Sequence, residues 1–285
     1  MALPDNRVII TADSTCDIGS ELAKKYNIEI VPLYVSLGSK SYRDGVDIHP
    51  DMIFDFYEKT GELAKTSAPP VEDYFNFFTR IKEPGKEIIH INISRPLSSS
   101  HENAVAAAKR MKGVHVIDSR TLSTAMGQLA LLASELASQG KTADEIIAVL
   151  QDKGEKLSIS FVIDTLEYLH KGGRCSSVAA FGANLLQLKP SIKVVDGGMA
   201  VGKKYRGSQK KALMNYIDDT FKDAANIDKK RVFITHSGCD EELIGAVRER
   251  MSALIQFDEV LITRAGATIT CHCGPNTLGV IFFHY

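Results

Sequence analysis

Three short runs gather hydroxyl groups in a chain otherwise made of apolar and charged stretches: Thr11-Ala12-Asp13-Ser14-Thr15-Cys16-Asp17, Lys65-Thr66-Ser67-Ala68-Pro69-Pro70 and Ser94-Arg95-Pro96-Leu97-Ser98-Ser99-Ser100. Hydroxyls can donate to an anion, and such charge-assisted bonds are roughly twice as strong as neutral ones. A local role competes in each run. Ser14 or Asp17 can cap a helix, and Thr66 or Ser67 can cap one whose start the Pro-Pro pair stiffens. The third run sets its hydroxyls and amides at a helix start, where orphan donors and partial positive charge suit an anion. Further on, Leu169-His170-Lys171-Gly172-Gly173-Arg174 ends a turn on a guanidinium, which can face a ligand or hold backbone carbonyls. His272 stands between Cys271 and Cys273. On a strand the two thiols would share one face and the imidazole would take the other, and Cys-x-Cys is not structural-zinc spacing, so no metal is expected.

Other signatures fall short. No Gly-x-Gly-x-x-Gly follows the first strand-like run. Gly197-Gly198-Met199-Ala200-Val201-Gly202-Lys203 nearly spells a phosphate loop, but Lys204 stands where Ser or Thr must hold magnesium, so a hairpin is expected instead. Ser208-Gln209-Lys210-Lys211 matches Ser-x-x-Lys only as a Lys-rich helix start would, and there is no Gly-x-Ser-x-Gly elbow. A hydrolase or small-molecule kinase using Ser98, with His272 as base, stays open as an alternative without an evident orienting carboxylate. So does a partner-binding scaffold without a ligand. No catalytic residue is assigned.

The elements that must position these groups alternate. Strand-like runs at Arg7 to Thr11, Ile28 to Leu37, Glu87 to Ile93 and Val114 to Asp118 are separated by helical periodicity at Gly19 to Tyr26, Asp51 to Lys59, Glu72 to Ile81 and His101 to Met111. The fold class is α/β. Two helices, about Ser123 to Gln139 and Ala143 to Lys156, then follow one another with no strand between. That break predicts two α/β domains, 1–156 and 157–285, as suits a chain of 285 residues. The second half restarts with Leu157 to Ile163 and continues with Ser191 to Val195, Arg231 to His236, Glu259 to Thr263 and Leu278 to His284. Asp196-Gly197-Gly198 marks a hairpin, so this sheet should be mixed. Two domains make an interface, a common place for ligands.

Lys+Arg total 34 against 35 Asp+Glu, a net charge of -1, so no field of one sign draws nucleic acid or an anionic membrane. Five scattered cysteines fit a reducing compartment. The short polar start Met1 to Asn6 carries no signal-peptide pattern, and no apolar run approaches the ~18 residues of a membrane span. A soluble, cytoplasmic protein without stable membrane insertion is expected, with a monomer as the default.

Taken in order, Ala12-Asp13-Ser14-Thr15-Cys16-Asp17, Val31-Pro32-Leu33, Tyr42-Arg43-Asp44-Gly45-Val46, Thr66-Ser67-Ala68-Pro69-Pro70, Val116-Ile117-Asp118-Ser119, Leu169-His170-Lys171-Gly172-Gly173-Arg174 and His272-Cys273-Gly274-Pro275 resemble the motifs of the bacterial DegV family of fatty-acid-binding proteins over nearly the whole chain. The resemblance implies an N-terminal, mainly parallel sheet with helices on both faces, a C-terminal mixed sheet with helices, and a ligand tunnel between them. It implies a lipid-binding protein rather than an enzyme, holding a long-chain fatty acid without any cofactor. It also implies a possible partner, the catalytic subunit of a fatty-acid kinase, to which the bound carboxylate is presented. By position, Thr66, Ser98 and His272 would meet the carboxylate, with Arg174 as a neighbour.

These expectations are physically coherent. A buried tail gains about 0.8 kcal/mol per methylene, so the head needs only to be satisfied. A protonated His272 or a nearby Arg174 would offset the cost of sequestering an anion. Two positions depart from the family pattern. Leu97-Ser98-Ser99-Ser100 replaces Leu-Ser-Gly-Thr, where loss of glycine could alter the backbone path. Asn276 replaces the second glycine of His-x-Gly-Pro-Gly, and Asn tolerates the left-handed region better than most residues.

Overall fold

The structure, a computed structural model, describes residues 7–175 and 188–285. The polar start Met1 to Asn6 lies outside the described residues. Strands β1 (Val8–Asp13), β2 (Ile28–Val31), β6 (Glu87–Asn92) and β7 (Val114–Asp118) form a parallel sheet in the order β2-β1-β6-β7. Burial on both faces explains why isoleucines of β6 fall on both of its sides. Its Ile88 packs on Tyr74, Phe78, Ala104 and Ala107 of helices α3 (Val71–Ile81) and α4 (Ser100–Ala108). Ile89 and Ile91 point the other way, into a core with Met126, Leu129 and Ile146 of α5 (Ser123–Ser138) and α6 (Ala143–Glu155). The chain leaves β1 toward β2 on one side and returns as β6 on the other. Ligands of open α/β sheets bind beyond the strand carboxyl ends at such a reversal.

The second sheet has the order β10-β9-β8-β13-β11-β12, from β8 (Leu157–Val162), β9 (Leu188–Val195), β10 (Gly198–Arg206), β11 (Ile227–Ser237), β12 (Glu259–Arg264) and β13 (Thr277–His284). Only the β11–β12 pair is parallel, so the sheet is mixed as expected. The apolar C-terminal strand β13 sits inside it, between β8 and β11. The hairpin joining β9 to β10 turns at Asp196 (φ 49°) and Gly197 (φ 78°), the left-handed pair that a tight hairpin requires. One face packs on α8 (Gln209–Thr220) and α9 (Glu241–Leu254) through Leu213, Ile217, Val247 and Met251. The other face presents Ile159, Phe233 and Ile281 to the core shared with α5. Helix α5 therefore lies between the sheets, which explains why it is buried nearly all round. At Gly127 a Cβ would stand 2.5 Å from Ile18 and 2.7 Å from the Cys16 carbonyl, so only glycine allows α5 this close to the turn after β1.

One local expectation is corrected. Ile28 to Leu37 is not one strand: Pro32 has no N–H for the ladder, and the Leu33 amide donates instead to Ser14 Oγ at 3.0 Å. The chain then enters a separate antiparallel sheet, β4-β3-β5, of β3 (Tyr34–Leu37), β4 (Lys40–Arg43) and β5 (Lys65–Ser67). Cys271, His272 and Cys273 are not on a strand but on the short helix α10 (Ala267–Cys273). Among the described residues no helix is long and apolar enough to cross a membrane, and the five cysteines are buried and form no disulfide.

Candidate functional site

Helix α10 carries His272, and three buried carboxylates place it. Asp44 accepts from the amides of Ala267 (2.8 Å) and Thr268 (3.2 Å), satisfying orphan donors at the helix start. Asp17 accepts from the Gly266 amide at 2.8 Å and from the Ser123 hydroxyl at 2.5 Å. A Cβ on Gly266 would stand 3.1 Å from Asp17 and 3.2 Å from Asp44, so glycine admits both. Asp13 caps the 3-10 turn Ser14–Cys16 through the Thr15 amide and accepts from the Ile93 amide at 2.9 Å. It thereby ties the loop after β6 to the turn after β1. Ser14 is not the cap, donating instead to Asp44 at 3.0 Å, whereas Asp17 closes the C-terminal end of that turn through its backbone amide while its carboxylate spans to α5 and α10. Burial pushes all three carboxyls above the ordinary range, against hydrogen bonds that pull them down.

The groups so placed meet in one cavity, an empty space of about 900 Å³ with its open mouth included. Thr66, Ser98, Arg174 and His272 all line it, from four separate segments. Thr66 is on β5 rather than capping a helix, and its Oγ1 lies 2.8 Å from His272 Nε2. Ser98 Oγ is 2.9 Å from Ser100 Oγ. Ser99 takes φ -75° and ψ 5°, an unstrained backbone, so the missing glycine costs nothing there. Asn276 takes φ 55°, the left-handed conformation its turn needs. Arg174 follows α7 (Glu167–Gly172), and its Nη1 donates to the Gly172 carbonyl at 2.7 Å. Most of the remaining surface of the cavity is apolar, with Leu97, Leu122, Ile159, Phe161, Met199 and Ile281, interspersed with further hydroxyls.

Of the two groups expected to offset the anion's charge, Arg174 is favoured over His272. Burial lowers the His272 pKa to about 4, with the Arg174 charge adding to the effect. Its Nδ1 is buried, without a hydrogen-bond partner among the described residues, and lies where a Cβ on Gly172 would approach to 2.5 Å. The positive charge at the site therefore belongs to exposed Arg174, and His272 acts as a neutral donor or acceptor. No group of three or more His, Cys, Asp or Glu among the described residues could hold a metal.

The family model described as "Uncharacterised protein, DegV family" matches residues 7–284. The chain belongs to the DegV family. A fatty acid-binding protein of Thermotoga maritima is 30% identical, the match covering 96% of this chain and 96% of that one. Among solved structures, a DegV family protein from Thermus thermophilus described by its fatty acid binding superposes with a TM-score of 0.91 at 30% identity, covering 98% of this chain and 100% of that one. A stearic acid-binding protein from Eubacterium ventriosum gives a TM-score of 0.83 at 26% identity, covering 97% and 98%.

In this DegV chain, sequence reasoning missed Ser123, Thr235 and Ser237, which also line the cavity. Thr235 and Ser237 had a signal: hydroxyls at alternate positions ending the apolar strand Val232-Phe233-Ile234 place both on one face. Ser123 had none. Its φ of 55° is rare for a residue with a side chain, and its hydroxyl bond to Asp17 anchors it there.

Proposed function

We propose that this protein is a carrier that holds a long-chain fatty acid with its carboxylate at Thr66, Ser98, His272 and Arg174 and its tail along the apolar lining. The observation that carries this reading is the pairing, in a single cavity, of a hydroxyl-rich end beside a guanidinium with a mostly apolar wall. With the proton of neutral His272 on Nε2, the imidazole donates to Thr66 Oγ1 and frees the Thr66 proton for the ligand. Ser98 offers a second hydroxyl from the loop after β6. Arg174 supplies the opposite charge without burying it fully. The fatty acid ligands of the Thermus and Eubacterium relatives support the same assignment here.

Carriage rather than catalysis fits the bonding. The His272 ring bonds Thr66, while the Ser98 hydroxyl pairs with Ser100, so the two are not coupled as base and nucleophile. A carrier with its acid group near the cavity mouth could present the carboxylate to a separate fatty-acid kinase, and we assign that as the partner class. We further read 1–156 and 157–285 as the two units that enclose the ligand. Mass spectrometry of the denatured protein tests the carrier role. A co-purifying fatty acid, or stoichiometric uptake of added stearate, is expected; neither lipid nor uptake would overturn it.

A further inference from the structure

Beyond the head group, the cavity follows the sheet. Thr277 Oγ1 donates to the Cys273 carbonyl at 2.8 Å, which sets the start of β13 beside the helix that carries His272. Thr277, Gly279 and Ile281 then alternate along one face of β13, leading away from that helix. On the neighbouring strand β8, Phe161 pairs with Gly279, Ile159 with Ile281 and Leu157 with Phe283. Phe161 and Ile159 line the cavity, but Leu157 does not.

Leu157 instead lines a second cavity, of about 1140 Å³ with its open mouth included, together with Leu129, Leu150 and Val194. Its rim carries an ion pair between Arg120 and Asp196 at 3.2 Å. Ile159 is the one described residue common to the two linings. It is buried, on the central part of a strand paired on both sides, and packed in the core shared with α5.

We propose that Ile159 ends the acyl channel and sets the longest acid the protein takes, because the wall it forms separates that channel from the apolar corner, Leu129, Leu150, Leu157 and Val194, of a second cavity whose remaining lining is mostly polar. The inference rests on the fatty-acid reading. A smaller side chain at this position joins the two spaces and extends the channel toward Leu150 and Leu157. A larger one shortens it.

The test offers the delipidated full-length protein an equimolar mixture of hexadecanoic, octadecanoic, eicosanoic and docosanoic acids and measures the retained acids by mass spectrometry. For Ile159→Ala the retained ratio of eicosanoic to hexadecanoic acid is expected to rise by about tenfold or more, since each methylene sheltered from water is worth a factor of about four. Ile159→Phe is expected to move the profile the other way. Ile159→Val and Ile159→Phe give the comparison in graded form should the alanine variant not fold. Variants that bind acid with the wild-type length profile overturn the role of Ile159 and leave the carrier reading standing. A wild-type protein that retains none of the four acids overturns both.

Discussion

The Asp44 carboxylate lies 2.8 Å from the Ala267 amide, joining the loop after β4 to the first turn of the helix that bears His272. The two residues are 223 positions apart. Asp44 also accepts from Thr268 and from the hydroxyl of Ser14, so one side chain satisfies donors from two segments remote from its own. Replacement by alanine leaves buried donors unmatched, each costing about 1–3 kcal/mol. Asp44→Ala is expected to lower the thermal midpoint and weaken stearate binding together. Asp44→Asn, which keeps one acceptor oxygen but sets an amide N–H against the donors of the other, should recover part of both. Differential scanning fluorimetry with and without stearate measures this, and equal losses in the two variants would contradict it.

Thr66→Val keeps the shape and removes the hydroxyl that bonds His272. A hydrogen bond to a charged group is worth about 1.5–3 kcal/mol, so acid affinity should fall by about tenfold or more. Competition against a fluorescent fatty acid measures it. Unchanged affinity would remove Thr66 from the head-group site.

Glycine to alanine inside a helix ordinarily stabilises by roughly 0.5–1 kcal/mol. Gly154 in α6 has open space around a would-be Cβ, and Gly154→Ala should show that gain. Gly172 in α7 is the opposite case, because its Cβ would stand 2.5 Å from His272 Nδ1. Gly172→Ala should destabilise and displace the imidazole from Thr66. Urea denaturation of the pair measures the difference, and a stabilised Gly172→Ala protein would show that His272 moves freely.

The fully buried His90, 2.7 Å from Thr11 Oγ1 through Nδ1, has its pKa lowered by burial to about 3. The unfolded chain takes up this proton near 6.5 and the folded chain only near 3, so the contribution is complete above 6.5 and is lost as pH falls. Its slope is at most about 1.4 kcal/mol per pH unit in that window. His272 adds the same sign down to about 4. His90→Phe is therefore expected to flatten stability between pH 6.5 and 5, whatever its effect at pH 7.5. Urea midpoints at the three pH values measure this. Parallel curves for the two proteins would refute it.

Much of the architecture was legible because periodic burial is written locally. The isoleucine-rich β6, the helical spacing of α3 and the Asp196-Gly197 turn each carry their geometry in adjacent residues. Ser208 likewise caps α8 through the Lys211 amide, as its sequence setting suggested. The departure of the chain at Pro32 into a third sheet was not legible, because Ser14 decides it by offering Leu33 an acceptor from another loop. The helical setting of His272 was hidden for a similar reason. Seven residues, Ala267–Cys273, form a helix whose start is held by Asp44 and Asp17 from far away in the chain.

By itself the sequence determined the α/β alternation, the mixed second sheet and the residue types available to meet an acid. Tertiary structure alone decided that Thr66 and His272, 206 positions apart, share a hydrogen bond and that burial lowers the imidazole's pKa. Hydrophobic period is a property of neighbouring residues, whereas a meeting of distant side chains and the dielectric around them exist only once the sheets have closed over α5.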